Sequence, residues 1–132
     1  MSGFEVAYAL HGGDPHKLHL PIKSGSASDM KNGTLVELDS GEATKAATAS
    51  VDILGVCTGI DSDNRAVVVV DPDAVYRVTD ATARAIGAPL DIASDARSVT
   101  TSTNANLIVV GQSPAGSPTL VKIAGTHHAF VG

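Results

Sequence analysis

The sequence predicts a mainly β protein: a small barrel- or sandwich-like body of two similar β units, with short helical turns and an extended N-terminal arm. Three observations predict it. Short apolar runs alternate with Gly, Asp, Asn and Ser clusters at near-regular spacing. The apolar residues are aliphatic, with 43% hydrophobic but only 3% aromatic residues and no Trp, so the core is Val, Ile, Leu and Ala. Third, the stretch 31–55 (KNGTLVELDSGEATKAATASVDILG) returns in altered form at 85–111. Gly33 matches Gly87, Val36 matches Leu90, Glu37 matches Asp91, Leu38 matches Ile92, and Ile53-Leu54 matches Leu107-Ile108. A repeat of this length implies one supersecondary unit used twice, here with copies at about 17–70 and 74–124.

At 132 residues the chain makes one domain with one substantial core. Residues 1–16 read as the arm and 17–132 as a single β domain. The charged fraction of 17% is low, against roughly 25% in soluble domains. Such a bland surface suits packing against partners. The net charge of −5 and the lack of any Lys/Arg run argue against nucleic acid as a direct partner. The lone Cys57 excludes an internal disulfide, and its apolar surroundings (ILGVC) predict a buried, inert thiol. The N-terminus lacks the basic start of a secretory signal, and no stretch approaches the roughly 18 apolar residues of a membrane span. Synthesis and folding in a cytosol, with no membrane partner, are expected.

In chain order, the arm carries Phe4, Val6, Tyr8 and Leu10 before the breaker cluster His11-Gly12-Gly13-Asp14-Pro15. These four residues are the candidate gripping surface, since exposed apolar side chains call for a body or a neighbour to dock on. Lys17–Ser24 alternates as a strand with Leu18, Leu20 and Ile22 on one face. Pro21, which has no N–H to donate, places it at a sheet edge. Ser26–Asn32 is a helical turn or loop. Thr34–Asp39 and Ala43–Thr48 form a hairpin about Ser40-Gly41. Val51–Ile60 is a buried strand in which Gly55 marks a bulge or a close backbone approach. Ala66–Val70 is a continuous apolar run, as in a strand covered on both faces.

Asp71–Ile86 carries helix punctuation in Asp71, Pro72 and Gly87, but Val75–Thr79 is β-prone. The repeat favours a strand at 74–79 followed by helical turns over 80–86. Further strands follow at 88–93, 97–101, 106–111 and 119–124, with a last one at 127–131.

Chemistry is thinly represented. His11, His16, His19, His127 and His128 include a three-residue spacing, but an arm and a chain end make a poor metal cage, and no metal or other cofactor is expected. Asp61-x-Asp63-Asn64 and Asp71-x-Asp73 lack the spaced ligands and closing Glu of a Ca²⁺ loop and read as turns. Gly-Gln-Ser113-Pro is not a nucleophile elbow, and the loops at Gly12-Gly13 and 25–28 lack a phosphate-binding Lys. A swinging-arm carrier needs a Lys at a hairpin tip, whereas Lys45 and Lys122 fall inside strands. No catalytic residue is assigned, and the chain is not expected to be an enzyme.

The order of motifs resembles the small capsid-decoration (cement) proteins of tailed bacteriophages. The matching pieces are Gly33-Thr-Leu-Val-Glu-Leu38, Ile53-Leu-Gly-Val56, Ala66–Val70 and Ala83-Arg-Ala-Ile-Gly-Ala-Pro-Leu-Asp91, covering roughly residues 17–124. The resemblance implies a β-barrel-like body on the outer face of an assembled head, bound to the major capsid protein. Homotrimers at threefold points, or dimers bridging capsomers, would brace the shell against DNA pressure. In that setting Leu18, Leu20, Pro21 and Ile22 form an edge strand for the capsid to extend, beside the arm residues. Two other readings stand beside it: a different virion part (tail tube or head–tail connector), and a small β ligand-binding module.

Overall fold

The computed structural model describes residues 3–10, 12–13, 15–47, 52–79, 85–93, 95–101, 105–112, 118–124 and 128–129. These residues form eleven strands: β1 (Glu5–Ala9), β2 (Lys17–Pro21), β3 (Leu35–Asp39), β4 (Glu42–Lys45), β5 (Ile53–Ile60), β6 (Arg65–Val69), β7 (Ala74–Thr79), β8 (Pro89–Ile92), β9 (Val99–Thr101), β10 (Leu107–Gln112) and β11 (Pro118–Ile123). A single 3₁₀ turn at Ala27–Asp29 is the helical element among the described residues. The protein is mainly β, with two antiparallel sheets.

The first sheet runs β2-β6-β5-β3-β4 and the second β1-β7-β11-β10-β8-β9. Without β1, the two orders are the same. In each half the first strand pairs with the fifth, the fifth with the fourth, the fourth with the second and the second with the third. All of these pairs are antiparallel. Each half is thus a sheet of identical topology, and the crossover from β6 to β7 at residues 70–73 separates them.

Local chemistry explains the turns. Ser40 and Gly41 both take positive φ (52° and 84°), the two-residue geometry that matches strand twist, and Asp39 faces Glu42 across them. Asp61 Oδ1 accepts the N–H groups of Asp63 (2.8 Å) and Arg65 (3.0 Å), so the acidic turn between β5 and β6 bonds its own backbone. Residues 74–79 resolve the conflict between helix punctuation and β propensity: β7 pairs on both sides, with β1 and β11, and four of its six residues are buried.

Two apolar clusters hold the layers. Leu35, Ile53, Val56 and Val69 of the first sheet meet Tyr76, Val78, Leu90, Ile92, Leu107, Val109, Val121 and Ile123 of the second. The opposite face of the first sheet closes over its own cluster, including Val36, Leu54, Cys57, Ala66 and Val68, capped by Met30. The first sheet is therefore buried on both faces, which accounts for the unbroken apolar runs in β5 and β6. Its outer strands approach each other where Ile22 bridges Ala43 in parallel and Lys23 N–H donates to Ala43 O at 2.9 Å.

The N-terminal segment departs from the arm expected over 1–16. β1 pairs with β7 along Glu5↔Arg77, Val6↔Tyr76, Tyr8↔Val75 and Ala9↔Ala74, with a bulge between Val6 and Tyr8. Phe4 is 1% exposed inside the inter-sheet core. Its N–H donates to Gly33 O at 2.9 Å, so the segment joins the first half by its backbone and the second by its strand. The breaker cluster ends no arm. Gly12 N–H closes a turn on Ala9 O (3.0 Å), and the chain passes from the margin of one sheet to that of the other. The turn expected over 80–86 and the last strand expected over 127–131 fall largely outside the described residues. Of the latter, His128 forms a parallel bridge with Ile53.

Candidate functional site

The open margins of the two sheets are set by their outermost strands. β1 and β9 are outermost in the second sheet, and β2 and β4 in the first. Pro21 lies on β2, opposite Arg65 of β6, where its missing N–H costs no ladder bond. β2 is among the least buried strands: Lys17, Leu18, His19 and Pro21 are exposed, while Leu20 and Ile22 pack partly on the first sheet's own cluster. Of the four arm residues, Phe4 is core and Val6 packs against it, whereas Tyr8 (47% exposed) and Leu10 (59%) stand outside. Phe4 is thus corrected from gripping residue to core residue. The alternation Phe4, Val6, Tyr8 signalled a strand but not which sheet would receive it.

Two histidine–carboxylate contacts pin β2 to the body. His16 N–H donates to Asp71 Oδ2 at 2.8 Å, and its Nδ1 lies 2.8 Å from Asp71 Oδ1. His19 Nδ1 lies 2.7 Å from Asp61 Oδ2, and Arg65 Nε donates to the same oxygen at 3.2 Å. The hydrogen bond from His19, followed by those from the Arg65 and Asp63 backbone, holds the Asp61 carboxyl far below the usual carboxylate range. The structure directs His16 and His19 to different carboxylates and does not bring them together. Among the described residues no three His, Cys, Asp or Glu converge to hold a metal; His11 and His127 lie outside those residues.

A groove of about 310 Å³ opens between β1 and the first sheet, with Phe4 and Val6 on one wall and Val56 and Val69 on the other. Lys17 and Glu5 flank it. Glu5 is engaged with Arg77 at 2.7 Å across the β1–β7 pair.

Among the described residues, Cys57, Tyr76 and His128 are closed off from solvent. Cys57 is fully buried, burial pushes its thiol up, and its Sγ contacts Gly59 O at 3.4 Å. Tyr76 is fully buried, and burial pushes its phenol far above the usual range. Burial lowers the His128 imidazole below its ordinary value, a shift partly offset by the Leu54 backbone. Lys45 ends β4 and Lys122 lies within β11, neither at a hairpin tip. Ser113 lies outside the described residues.

Asp91, matched to the partly buried Glu37 in the repeat, is 1% exposed. Its Oδ1 accepts the Ala105 N–H at 2.8 Å, and the neighbouring Asn106 Oδ1 accepts the Ile92 N–H at 3.1 Å. These two buried polar side chains organise the approach to β10. Sequence reasoning treated Asp91 only as a repeat marker, because a carboxylate flanked by apolar residues reads as strand alternation.

No protein-family profile matches the chain, and no curated protein matches it either.

Proposed function

We propose that this chain is a virion structural protein that binds the outside of an assembled phage capsid and stabilises it, as a decoration protein does. The observation that carries the reading is the margin of β1. It is an outermost strand of a duplicated antiparallel body, and it carries the exposed Tyr8 and runs on to the exposed Leu10. An outermost strand can extend a neighbour's sheet by main-chain hydrogen bonds, with alternate side chains giving specificity. Many weak copies on a symmetric lattice gain by avidity what each lacks alone. In this reading the first sheet is a small barrel closed near Ile22 and Ala43, with the second sheet laid over it. The chain works as a homo-oligomer, trimer before dimer, on the major capsid protein at the outer surface. It has no nucleic-acid partner and no reaction to run.

The test is co-sedimentation with assembled heads and, in parallel, with unassembled capsid protein. Binding to heads alone is expected, and equal binding to both would reject a lattice-dependent role.

A second reading, a small β ligand-binding module, is favoured by the groove between β1 and the first sheet, whose size falls within the range of about 300–1,000 Å³ found for small-molecule pockets. Saturable thermal stabilisation by a small molecule, lost on Thr58→Arg at the partly buried wall of the groove, would favour it.

A further inference from the structure

The chain has nine Lys and Arg against fourteen Asp and Glu, yet three of the nine meet at one place. Lys31, Lys45 and Arg97 line a concavity of about 200 Å³ with Ser28 and Thr34, and Asp29 and Asp95 complete its wall. Three cations against two carboxylates make this a locally positive spot on a protein of net charge −5.

Among the described residues, two of these cations are not tied to carboxylates, as three cations elsewhere are. Lys23, Arg65 and Arg77 each hold a carboxylate. Lys31 and Lys45 have no ion-pair partner among the described residues. Arg97 is fixed in place: its Nη1 donates to Asn32 O at 3.0 Å and to Thr34 Oγ1 at 3.1 Å. Its backbone N–H is held by Asp95 Oδ1 at 2.9 Å. Because Thr34 Oγ1 accepts from Arg97, the Thr34 hydroxyl keeps its own proton to donate. Asp95 is already engaged, also accepting from the Ser98 hydroxyl at 3.0 Å.

We propose that this concavity binds a small oxyanion between Lys31, Lys45 and Arg97, either a free phosphate-type ion or the carboxylate of an acidic side chain. Its volume is below the roughly 300 Å³ at which pockets for drug-sized ligands begin, which suits one anionic group and not a cofactor. A fixed guanidinium with two adaptable ammonium groups supplies charge-assisted hydrogen bonds from several sides. Arg97 comes from the second half of the chain and the other lining cations from the first, so a bound anion bridges the two sheets and stabilises their packing. The site stands whether or not the chain binds a capsid.

The test uses the full chain, titrated at constant ionic strength with inorganic phosphate and, separately, with N-acetyl-glutamate amide. Backbone amide NMR shifts give the readout. Saturable shifts confined to residues around 28–34, 45 and 95–98 are expected, weakened about tenfold or more in the Lys31→Ala/Lys45→Ala variant. Both lysines lie outside the core, so that variant keeps the wild-type spectrum elsewhere. Arg97→Lys keeps the charge but loses the planar fork, and is expected to weaken binding as well. Saturation by phosphate alone assigns a free oxyanion, and saturation by the glutamate compound assigns a protein carboxylate. Linear, non-saturating shifts in both arms, or unchanged saturation in the double lysine variant, would overturn the proposal.

Discussion

Tyr76 of β7 lies over Gly55 of β5, so close that a Cβ on Gly55 would fall 2.7 Å from the Tyr76 hydroxyl. The same Cβ would meet Val69 O at 1.9 Å, and Gly55 takes a φ of 155°. The two sheets therefore approach at a point where only glycine fits, next to the register shift between β3 and β5.

Gly55→Ala forces backbone against backbone and is expected to destabilise the fold by about 3 kcal/mol or more. Urea unfolding measures it. Tyr76→Phe tests the other side of the contact. The hydroxyl is buried with no hydrogen bond of ordinary geometry among the described residues, so its removal is expected to cost less than about 1 kcal/mol.

The N-terminal strand makes a second prediction. Because Phe4 is core and β1 pairs with β7, Phe4→Ala is expected to cost about 3–5 kcal/mol in the same assay. Deleting residues 3–10 is expected to destabilise the body rather than trim an independent arm. A deletion variant with an unchanged unfolding midpoint would place β1 outside the cooperative unit.

Asp91 supplies a third. Removing its carboxylate leaves the Ala105 N–H without the acceptor it has at 2.8 Å. Asp91→Ala is expected to cost about 1–3 kcal/mol and to speed amide exchange at Ala105 in particular.

Acid sensitivity is expected in two windows. His128 is held below its ordinary value by burial. Its unfolded form takes a proton first, near pH 6.5. Its contribution is complete above about that pH and is lost as pH falls through the folded value. Asp61 has its folded value depressed by the His19 contact. Its contribution is complete above the unfolded carboxylate value of about 3.9, and is lost as pH falls further. Urea midpoints against pH check both: His128→Gln is expected to flatten the limb just below pH 6.5, and Asp61→Asn the limb below about 4.

Much of the fold was legible because the first sheet is buried on both faces and the second on one. That produced the apolar runs at 53–57 and 66–70 and the alternation at Leu90 and Ile92. Ser40-Gly41 and Asp61 announced their turns through chemistry confined to a few residues. Phe4 and β1 were misplaced for a physical reason. Alternation shows that a segment is extended but not which edge takes it, and Glu5 and Arg77 are 72 residues apart. The cationic concavity was hidden likewise, since Arg97 reaches Asn32 and Thr34 across more than sixty positions. The shared strand order, by contrast, was foreshadowed by the Gly33/Gly87 repeat, because a duplicated unit carries its pairing with it.

The margin of β1 as gripping surface is tested most directly by head binding of the Tyr8→Ser/Leu10→Ser variant beside the unaltered chain. Both side chains are largely outside the core, so thermal unfolding is expected to stay the same within a few degrees. The unaltered chain is expected to saturate assembled heads, and the variant to bind about tenfold or more weakly. Equal saturation of heads by both proteins would contradict the account.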